Sequence, residues 1–434
     1  MIAEKTLTQE QEVAYNNIMK YLNGSVDCTA MVLFGYAGTG KTYTISHVLQ
    51  DFVEQTGQSI ALAAPSNSAV QVLRKMLPIQ GATYKTIHSL LALKPRIKNN
   101  GEIEFVQERK DRATVHEYGV VVVDESSMLN DEIFDLIEPY FNRVKFIFVG
   151  DPKQIRPVST KANSRNKLSP IFRKEVLEAK NIKKTGLRNI VRQAGSSGII
   201  PLSFEIRNNN FAAISDEKYD DVEIVNNIDS FLPYFDKDDR FYCKVLAYTN
   251  KAVNKYNDQI RQHIYKDEAR NKIVIGERLI ANTPIFHPLD RMTIMFTTND
   301  TFQVEDYQID ELRYEERTFK VYNCLLDNGD RINILHEGSE DYYQQSFDML
   351  VAIAKAQSKI GKGAQYWRNA YQFKETFADI KYDYAITCHK AQGSTFDYVF
   401  INYQNIMSCY DEKERQGLLY TAVTRAAKKV YFLV

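Results

Sequence analysis

The chain has 434 residues, 44% of them hydrophobic and 25% charged, and its 55 basic and 55 acidic residues cancel. Such a length exceeds one ordinary hydrophobic core and predicts about two to four domains. Because the net charge is zero, composition gives no sign of a nucleic-acid partner, and local sites must carry any such role. The N-terminal MIAEKTLTQEQE has no signal-peptide run, and no segment reaches the roughly 20 apolar residues of a membrane span, so we expect a cytoplasmic protein without a membrane partner.

The first functional element is a predicted phosphate-binding loop. An apolar run at 30–34 is typical of a buried strand, FGYAGTGKT occupies 34–42, and the following residues have helical spacing. In this setting the GxxxxGK[ST] motif holds nucleotide phosphates with backbone N–H groups. Lys41 would bridge the β- and γ-phosphates, and the Thr42 hydroxyl would ligate Mg²⁺. The predicted nucleotide-binding residues of this loop are Gly35, Gly38, Thr39, Gly40, Lys41 and Thr42.

A second strand-end loop follows the apolar run at 60–64 and contains Pro65, Ser66 and Asn67. We expect no second nucleotide there. Small side chains and free backbone N–H groups suit contacts to a polyanion backbone instead.

Residues 92–112 break the α/β pattern, because Pro95 interrupts a helical spacing and alternation around Asn99-Asn100-Gly101 predicts a β-hairpin. The hairpin would be a small insert in the first domain.

Two further strands predict the acidic half of the nucleotide site. The apolar run at 119–123 ends in Asp124, which would hold Mg²⁺ through water, and Glu125, which would polarise the attacking water. A base beside the γ-phosphate favours hydrolysis over kinase-type transfer. The run at 144–149 leads into GDPKQ, and strand-end loops line the ligand crevice of doubly wound sheets, so Gln154 would sense the γ-phosphate or the water.

The second half repeats the alternation of strands and helices. Strand-like runs at 241–249, 384–387, 397–401 and 429–434 predict a second parallel-sheet α/β domain. Residues from about 286 to 375 lack this rhythm. Their short strands, turns and polar helical run predict a β-barrel-type insert with a helical extension.

Nine motifs follow one another between residues 7 and 426: LTQEQ, GYAGTGKT, LAAPSNSA, TIHSLL, VVVDESSM, GDPKQIRPV, a TNK segment, TCHKAQGSTFD and LLYTAVTRA. Their order resembles the superfamily 1 helicases, in particular the RecD-like 1B branch. The resemblance implies an α/β fold of two RecA-like parallel-sheet motor domains. It implies a first motor domain at 1–185 with its hairpin insert at about 92–112, a second at 186–285 and 376–434, and the β-barrel-type insert at 286–375, whose extension would brace the hairpin.

The resemblance also implies residues that bind and hydrolyse ATP with Mg²⁺. Gln11 in LTQEQ would read the adenine edge, with a polar helix-start residue as the alternative. Arg425 and Arg192 resemble the two arginines that reach the γ-phosphate from the second motor domain, with Arg188 as the alternative to Arg192. Gly393 would face the nucleotide, together with its neighbours Gln392 and Ser394. The implied catalytic set is Lys41, Asp124, Glu125, Gln154, Arg192 and Arg425, and the metal would lie on Thr42 and Asp124.

Candidate DNA contacts come from both motor domains, since hydroxyl, amide and single-lysine contacts suit sequence-independent tracking of one strand. In the first domain they are Pro65, Ser66, Asn67, Thr86 and His88; in the second they are Thr249, Asn250, Lys251, Thr387, His389 and Lys390. A structural histidine is the alternative for His88. Phe105 resembles the aromatic residue at the point of strand separation, or it packs the hairpin on its domain.

The sequence thus predicts an ATP-dependent DNA helicase that translocates on single-stranded DNA, with 5′→3′ movement suggested by the 1B resemblance, in phage-type replication or recombination. Expected partners are single-stranded and fork DNA, and a single-strand-binding protein or other replication proteins are further candidates. We expect a monomer, located in the host cytoplasm if it is phage-encoded. Two alternatives stay open: a single-strand translocase that displaces proteins without efficient unwinding, and a nucleotide-dependent switch with no nucleic-acid track.

Overall fold

The computed structural model describes residues 7–107, 112–157, 167–189, 191, 197–215, 218–236, 242–288 and 293–434. Its first part alternates strands and helices around one parallel sheet and carries a hairpin. The elements are α1 (Gln9–Leu22), β1 (Ala30–Gly35), α2 (Lys41–Thr56), β2 (Ile60–Ala64), α3 (Asn67–Met76), β3 (Thr83–Thr86), α4 (Ile87–Leu90), β4 (Lys94–Ile97), β5 (Ile103–Val106), β6 (Val120–Val123), α5 (Asp131–Ile137), β7 (Lys145–Gly150), α6 (Lys174–Ala179) and β8 (Ile182–Leu187).

The remaining elements form a second parallel sheet and a long antiparallel insert within it. They begin with α7 (Ile199–Arg207), β9 (Val222–Val225), β10 (Cys243–Ala247), α8 (Asn250–Tyr265), β11 (Arg278–Ala281), β12 (Ile285–Phe286), β13 (Ile294–Phe296), β14 (Thr301–Tyr314), β15 (Arg317–Leu326) and β16 (Arg331–Leu335). They end with α9 (Glu340–Ser358), α10 (Gly363–Lys374), β17 (Ile380–Tyr382), β18 (Ala385–Thr387), α11 (Cys388–Ala391), β19 (Phe396–Asn402), α12 (Tyr403–Met407), α13 (Glu412–Val423) and β20 (Ala426–Leu433).

The first sheet has the strand order β3-β2-β6-β7-β1-β8. Its central strands are buried on both faces, which explains their continuous apolar sequences. Ile18, Val48 and Leu73 pack against one face, and Leu90 and Phe134 belong to the cluster on the other. Strand β8 pairs with β1 as far as residue 187, so the first sheet extends past the boundary expected at 185.

The second sheet has the order β18-β10-β19-β20-β9, and its paired strands are parallel. Helices α7 and α13 contribute Leu202 and Leu419 to one core cluster, while α8 contributes Ile260 to another, beside Phe400 of β19. Two parallel α/β sheets of this kind agree with the two RecA-like domains predicted from the sequence, which we call the first and second motor domains.

The insert is an antiparallel sheet in the order β16-β15-β14-β11-β17. Because β11 and β17 belong to it, the sheet spans Arg278 to Tyr382 and extends beyond the expected limits of 286–375. Strands β16 and β17 stand at its two edges, and the Ala378 N–H donates to the Asn333 carbonyl at 2.8 Å, which brings these edges together in a barrel-like way. Within the described ranges, no helix combines the length and apolar character of a membrane span.

Candidate functional site

The loop between β1 and α2 has the backbone shape of a phosphate site. Gly38 and Gly40 have φ values of 77° and 82°, a region that residues with a side chain avoid. A Cβ at Gly35 would lie 2.7 Å from Thr39 Oγ1, so the loop is too tightly packed there for any side chain. The loop places Lys41 at the start of α2, where the first backbone N–H groups lack intrahelical partners.

Two side chains bind the carbonyl groups of this loop. Lys41 Nζ donates to the Gly35 and Tyr36 carbonyls at 2.9 and 3.0 Å. Buried Gln11 donates from Nε2 to the Thr39 carbonyl at 3.1 Å, and its Oε1 accepts from the Thr8 N–H at 3.0 Å. Gln11 thus caps α1, as its alternative interpretation requires, and also lies directly against the phosphate loop.

Side chains from both motor domains line one cavity of about 130 Å³ beside the loop. The lining includes Lys41, Thr42, Asp124, Glu125 and Gln154 from the first domain and Gly393 and Arg425 from the second. The structure therefore brings together the described members of the predicted catalytic set. A larger cavity of about 780 Å³ lies between α3, the second domain and the insert. It does not contain the loop lysine or the acidic pair, so the smaller cavity has the chemistry of a nucleotide site.

The acidic pair at the end of β6 lies in a strained turn. Glu125 has φ 49° and ψ 37°, a left-handed conformation that is costly for a residue with a side chain. Burial and, second, the adjacent Glu125 carboxylate raise the pKa of Asp124 to about 6, against an opposing effect of Lys41. A bound cation would favour the ionised carboxylate, which fits a role for Asp124 in holding Mg²⁺.

Magnesium would be shared between the protein and the nucleotide. Among the described residues, no group of three or more carboxylate, imidazole or thiolate side chains is arranged to hold a metal ion. Thr42 and Asp124 line the same cavity, and Mg²⁺ is commonly held by one or two protein groups together with substrate phosphates. Their oxygen donors fit this ion.

The loop after β18 reaches the acidic pair from the second domain. Buried Gln392 donates from Nε2 to Glu125 Oε2 at 3.3 Å, to Ser127 Oγ at 3.1 Å and to Gln154 Oε1 at 3.1 Å. Gly393 has φ 81°, and a Cβ there would lie 3.3 Å from Ala69 Cβ, so glycine permits this close approach. The sequence placed Gln392 at the cleft but did not identify its contact with Glu125, because the two residues lie on different domains.

The structure places one of the three candidate arginines at the cavity. Arg425 is buried, lines the cavity, and donates to the Ser394 carbonyl at 2.9 Å and the Thr421 carbonyl at 3.2 Å. Arg192 lies outside the described residues. Arg188 is exposed, and its backbone N–H donates to Glu10 Oε2 at 2.8 Å. The choice between Arg188 and Arg192 therefore stays a prediction.

The candidate DNA contacts occupy equivalent places in the two motor domains. Ser66 and Thr86 cap α3 and α4, and Thr249 and Thr387 cap α8 and α11. In the first sheet β2 pairs with β3 at one edge, and in the second β10 pairs with β18 at one edge. Each motor domain thus ends two adjacent parallel strands in capped helix starts, whose first turns retain backbone N–H groups without intrahelical partners.

The other second-domain candidates lie beside these caps. Asn250 and Lys251 are exposed at the start of α8. His389 Nε2 lies 3.8 Å from Glu414 Oε1, and Lys390 Nζ lies 3.5 Å from Asn282 Oδ1. Burial lowers the pKa of both His389 and Lys390. In the first domain, Pro65 and Asn67 flank the Ser66 cap in the same way.

Phe105 packs the hairpin on its domain and also keeps an exposed ring surface, so its position fits both of the predicted roles. Its ring contacts the His88 ring edge to face, with 4.8 Å between centroids, so it packs the hairpin against α4. The side chain nevertheless remains 52% exposed, which leaves apolar surface for another contact. Burial lowers the pKa of His88, so this ring is neutral near pH 7.

The tip of the β4–β5 hairpin docks on the turn between α9 and α10. Asn99 Nδ2 donates to the Ser358 carbonyl at 2.7 Å, Ser358 Oγ donates to the Asn99 carbonyl at 2.5 Å, and the Gly363 N–H donates to Asn99 Oδ1 at 2.6 Å. The Tyr371 hydroxyl donates to the Gly101 carbonyl at 2.7 Å. The sequence suggested that the extension braces the hairpin but named no residue for this contact, which joins segments some 260 positions apart.

Comparison with known proteins gives two family matches. Residues 20–160 match an AAA domain, and residues 382–433 match a UvrD-like helicase C-terminal domain. The first contains the phosphate loop and the acidic pair, and the second contains the HKAQGS loop and Arg425.

Curated relatives cover nearly the whole chain. The ATP-dependent DNA helicase dda of Enterobacteria phage T4 is 27% identical over 98% of this chain and 99% of its own length. The RecBCD enzyme subunit RecD of Buchnera aphidicola is 22% identical over 91% of this chain and 69% of its own length. The full-length similarity to Dda and the RecD match agree with the motif order and confirm the resemblance to superfamily 1B helicases.

Solved structures share the fold. The Pif1 helicase from Candida albicans has a TM-score of 0.56 at 14% identity and covers 99% of this chain and 94% of that one. The Bacteroides Pif1 helicase in complex with ADP-AlF3 and ssDNA has a TM-score of 0.54 at 17% identity, over 99% of this chain and 92% of that one.

Proposed function

We propose, from its similarity to superfamily 1B helicases, that this chain is an ATP-dependent DNA helicase, which hydrolyses ATP in the cleft between its two motor domains and thereby moves on single-stranded DNA and separates duplexes. The observation that carries this proposal is the equivalent pair of capped helix starts in each motor domain. One such pair would be a local feature. Two pairs, on domains that line one shared cavity, would give a motor two separate contacts with one strand.

Hydrolysis would use groups that line the 130 Å³ cavity. Lys41 leaves the loop carbonyls to neutralise the β- and γ-phosphates, and bound Mg²⁺ supplies further charge neutralisation there. Glu125 accepts the proton of the attacking water, and Gln154 orients that water. Arg425 neutralises charge that develops on the γ-phosphate when the cleft closes, which links the chemical step to domain movement. Arg192 would provide a second cation, and Gln11 would contact adenine.

The nucleic-acid track would run over the caps of both domains. Helix starts bind phosphate through backbone N–H groups, and such contacts are independent of base sequence. The candidate contacts are Pro65, Ser66, Asn67, Thr86 and His88 in the first domain and Thr249, Asn250, Lys251, Thr387, His389 and Lys390 in the second. Because these are mostly neutral groups with few cations, each grip is weak enough to be released during a step.

The hairpin would act at the fork. Its exposed Phe105 ring can stack on a base at the point where the strands separate, and base–aromatic stacking contributes about 1–3 kcal/mol. The docked extension would hold this ring in place. We propose 5′→3′ movement by a monomer in phage-type replication or recombination, with a single-strand-binding protein or other replication proteins as partners.

The test is the ATPase rate with and without oligo(dT). A DNA motor should be strongly stimulated by the oligonucleotide, and Lys41→Ala should remove the rate while oligo(dT) binding, followed by fluorescence polarisation, persists. A rate that does not respond to single-stranded DNA would refute the motor and favour a nucleotide-dependent switch.

A further inference from the structure

A buried cluster of three side chains, none of them in the predicted catalytic set, joins the two motor domains at the edge of the nucleotide cavity, which Asp151 also lines. It consists of Tyr420 on α13, Arg207 at the end of α7 and Asp151 directly after β7, and their exposed fractions are 1%, 8% and 0%. The Tyr420 hydroxyl donates to Asp151 Oδ2 at 2.6 Å, and Arg207 NH1 donates to Asp151 Oδ1 at 3.0 Å. We refer to these residues as the interdomain cluster.

The interdomain cluster also holds the phosphate loop. The Ala37 N–H of this loop donates to the Tyr420 hydroxyl at 3.0 Å. The Arg207 guanidinium lies over the ring of Tyr36, the preceding loop residue, at 3.5 Å from its centroid. The second motor domain therefore contacts two consecutive residues of the loop. A change in the orientation of this domain must move these residues or break their contacts.

Helix α13 extends from this cluster to the proposed DNA track. At its beginning, Glu414 Oε1 lies 3.8 Å from Nε2 of His389, a proposed DNA contact. Two residues further, Gln416 Nε2 donates to the Arg207 carbonyl at 2.7 Å and ties α7 to α13. Tyr420 follows, about 9 Å along the axis from Glu414 at the rise of an α-helix. One rigid element thus contacts both sites.

The Tyr420 hydroxyl forms two hydrogen bonds that link the domains. It accepts a hydrogen bond from the Ala37 N–H of the loop and donates one to Asp151, so it acts as acceptor and donor at once. Burial and the neighbouring Asp151 carboxylate raise the pKa of Tyr420, which keeps the hydroxyl protonated and able to donate. Phenylalanine would fill nearly the same volume but could form neither bond.

We propose that Tyr420 is a positioning residue through which α13 transmits DNA binding at the second motor domain to the phosphate loop, with Asp151 and Arg207 fixing its hydroxyl. This inference rests on the proposed function, since it concerns stimulation of the ATPase by DNA. It assigns a role to contacts outside the groups that touch the reacting phosphate. Loss of the hydroxyl should uncouple the two sites without removing either one.

The experiment measures kcat for ATP hydrolysis with saturating oligo(dT) and without it, for the full chain and for Tyr420→Phe. We expect the ratio of the two rates to fall about tenfold, the effect of one hydrogen bond to a charged group, while the Kd for oligo(dT) changes less than about twofold. The matched control is Tyr431→Phe. Tyr431 is equally buried, and its hydroxyl pairs with the Tyr234 hydroxyl inside the second domain. It should keep the wild-type ratio.

Arg207→Lys gives an independent reading, because lysine keeps the charge but cannot stack its planar group on Tyr36. The ratio of stimulated to basal kcat should also fall in Arg207→Lys. If Tyr420→Phe melts at a lower temperature than Tyr431→Phe, the Arg207→Lys ratio becomes the test, and an unchanged ratio there would overturn the relay. An unchanged ratio in a stable Tyr420→Phe protein, or an equal fall of both rates, would overturn the relay. If the wild-type rate did not respond to DNA, the proposed function itself would fail. A stimulated wild type with a Tyr420→Phe variant stimulated to the same extent would remove the relay alone.

Discussion

Replacing Gly101 with alanine should separate strand separation from ATP hydrolysis. Gly101 has φ 87°, and a Cβ there would lie 2.5 Å from Cε2 of Trp367, on the helical extension. Alanine therefore meets two penalties: the left-handed backbone costs about 1–2 kcal/mol, and the clash forces the hairpin tip away from α10. Gly329→Ala is the matched control, because Gly329 has φ 84° and no atom within 4 Å of its Cβ position.

The contact that the clash disrupts is small but well defined. Four hydrogen bonds join the tip to the extension, and at a net value of about 0.5–1.5 kcal/mol each they contribute at most about 2–6 kcal/mol. Loss of even about 2 kcal/mol lowers the ratio of docked to undocked hairpin roughly 30-fold. The nucleotide cavity and the capped helix starts are made of other residues, so single-strand-stimulated ATPase should change less than about twofold under the same reasoning.

Trp367 reports the docking directly, because it is the single tryptophan of the chain and its Nε1 donates to Ser358 Oγ at 3.1 Å within the contact. We expect Gly101→Ala to shift the tryptophan emission and to slow unwinding of a tailed duplex about tenfold or more, while Gly329→Ala changes neither. Normal unwinding by Gly101→Ala with a shifted tryptophan emission would refute the bracing of the hairpin by the extension.

Three further outcomes are expected. Phe105→Ala should lose most of its unwinding rate while DNA-stimulated ATPase persists, as measured on a tailed duplex and on oligo(dT); intact unwinding would show that the ring only packs the hairpin. Gln392→Ala should lower kcat by about tenfold or more, because it frees Glu125, with little change in the KM for ATP; a change in KM alone would contradict this. Burial holds the pKa of His88 below its ordinary 6.5, so the folded state binds fewer protons than the unfolded state, and stability should fall as pH drops below about 6.5. His88→Gln should reduce the difference in melting temperature between pH 7.5 and 5.5, and an unchanged difference would contradict the assignment.

Local patterns in the sequence were sufficient for the motor domains and their loops. The apolar runs before Lys41 and Asp124 are strands buried on both faces, and a continuous apolar run followed by a short polar motif is a strong local signal. The insert was harder to delimit. Strands β11 and β17 are short, and they join the antiparallel sheet only through pairing with distant partners, which no local pattern reveals.

The contacts between domains were the least accessible to sequence. Gln392 and Glu125 are 267 positions apart, and Tyr420 and Asp151 are 269 apart. Their proximity follows from how the two sheets face each other, which depends on many weak contacts rather than on any one motif. The equivalence of these helix caps could have been found in the sequence, because Ser66 and Thr249 are each followed by Asn at the next position and by Ala-Val at the third and fourth.

Strand release from partial duplexes tests the central claim most directly. Two substrates with the same duplex and the same single-stranded length, one with a 5′ tail and one with a 3′ tail, are incubated with the protein, ATP and Mg²⁺, and the displaced strand is followed over time. A 5′→3′ helicase releases the strand from the 5′-tailed substrate, requires ATP, and fails with Lys41→Ala. Release from the 3′-tailed substrate alone would contradict the proposed direction, and release from neither would contradict the helicase.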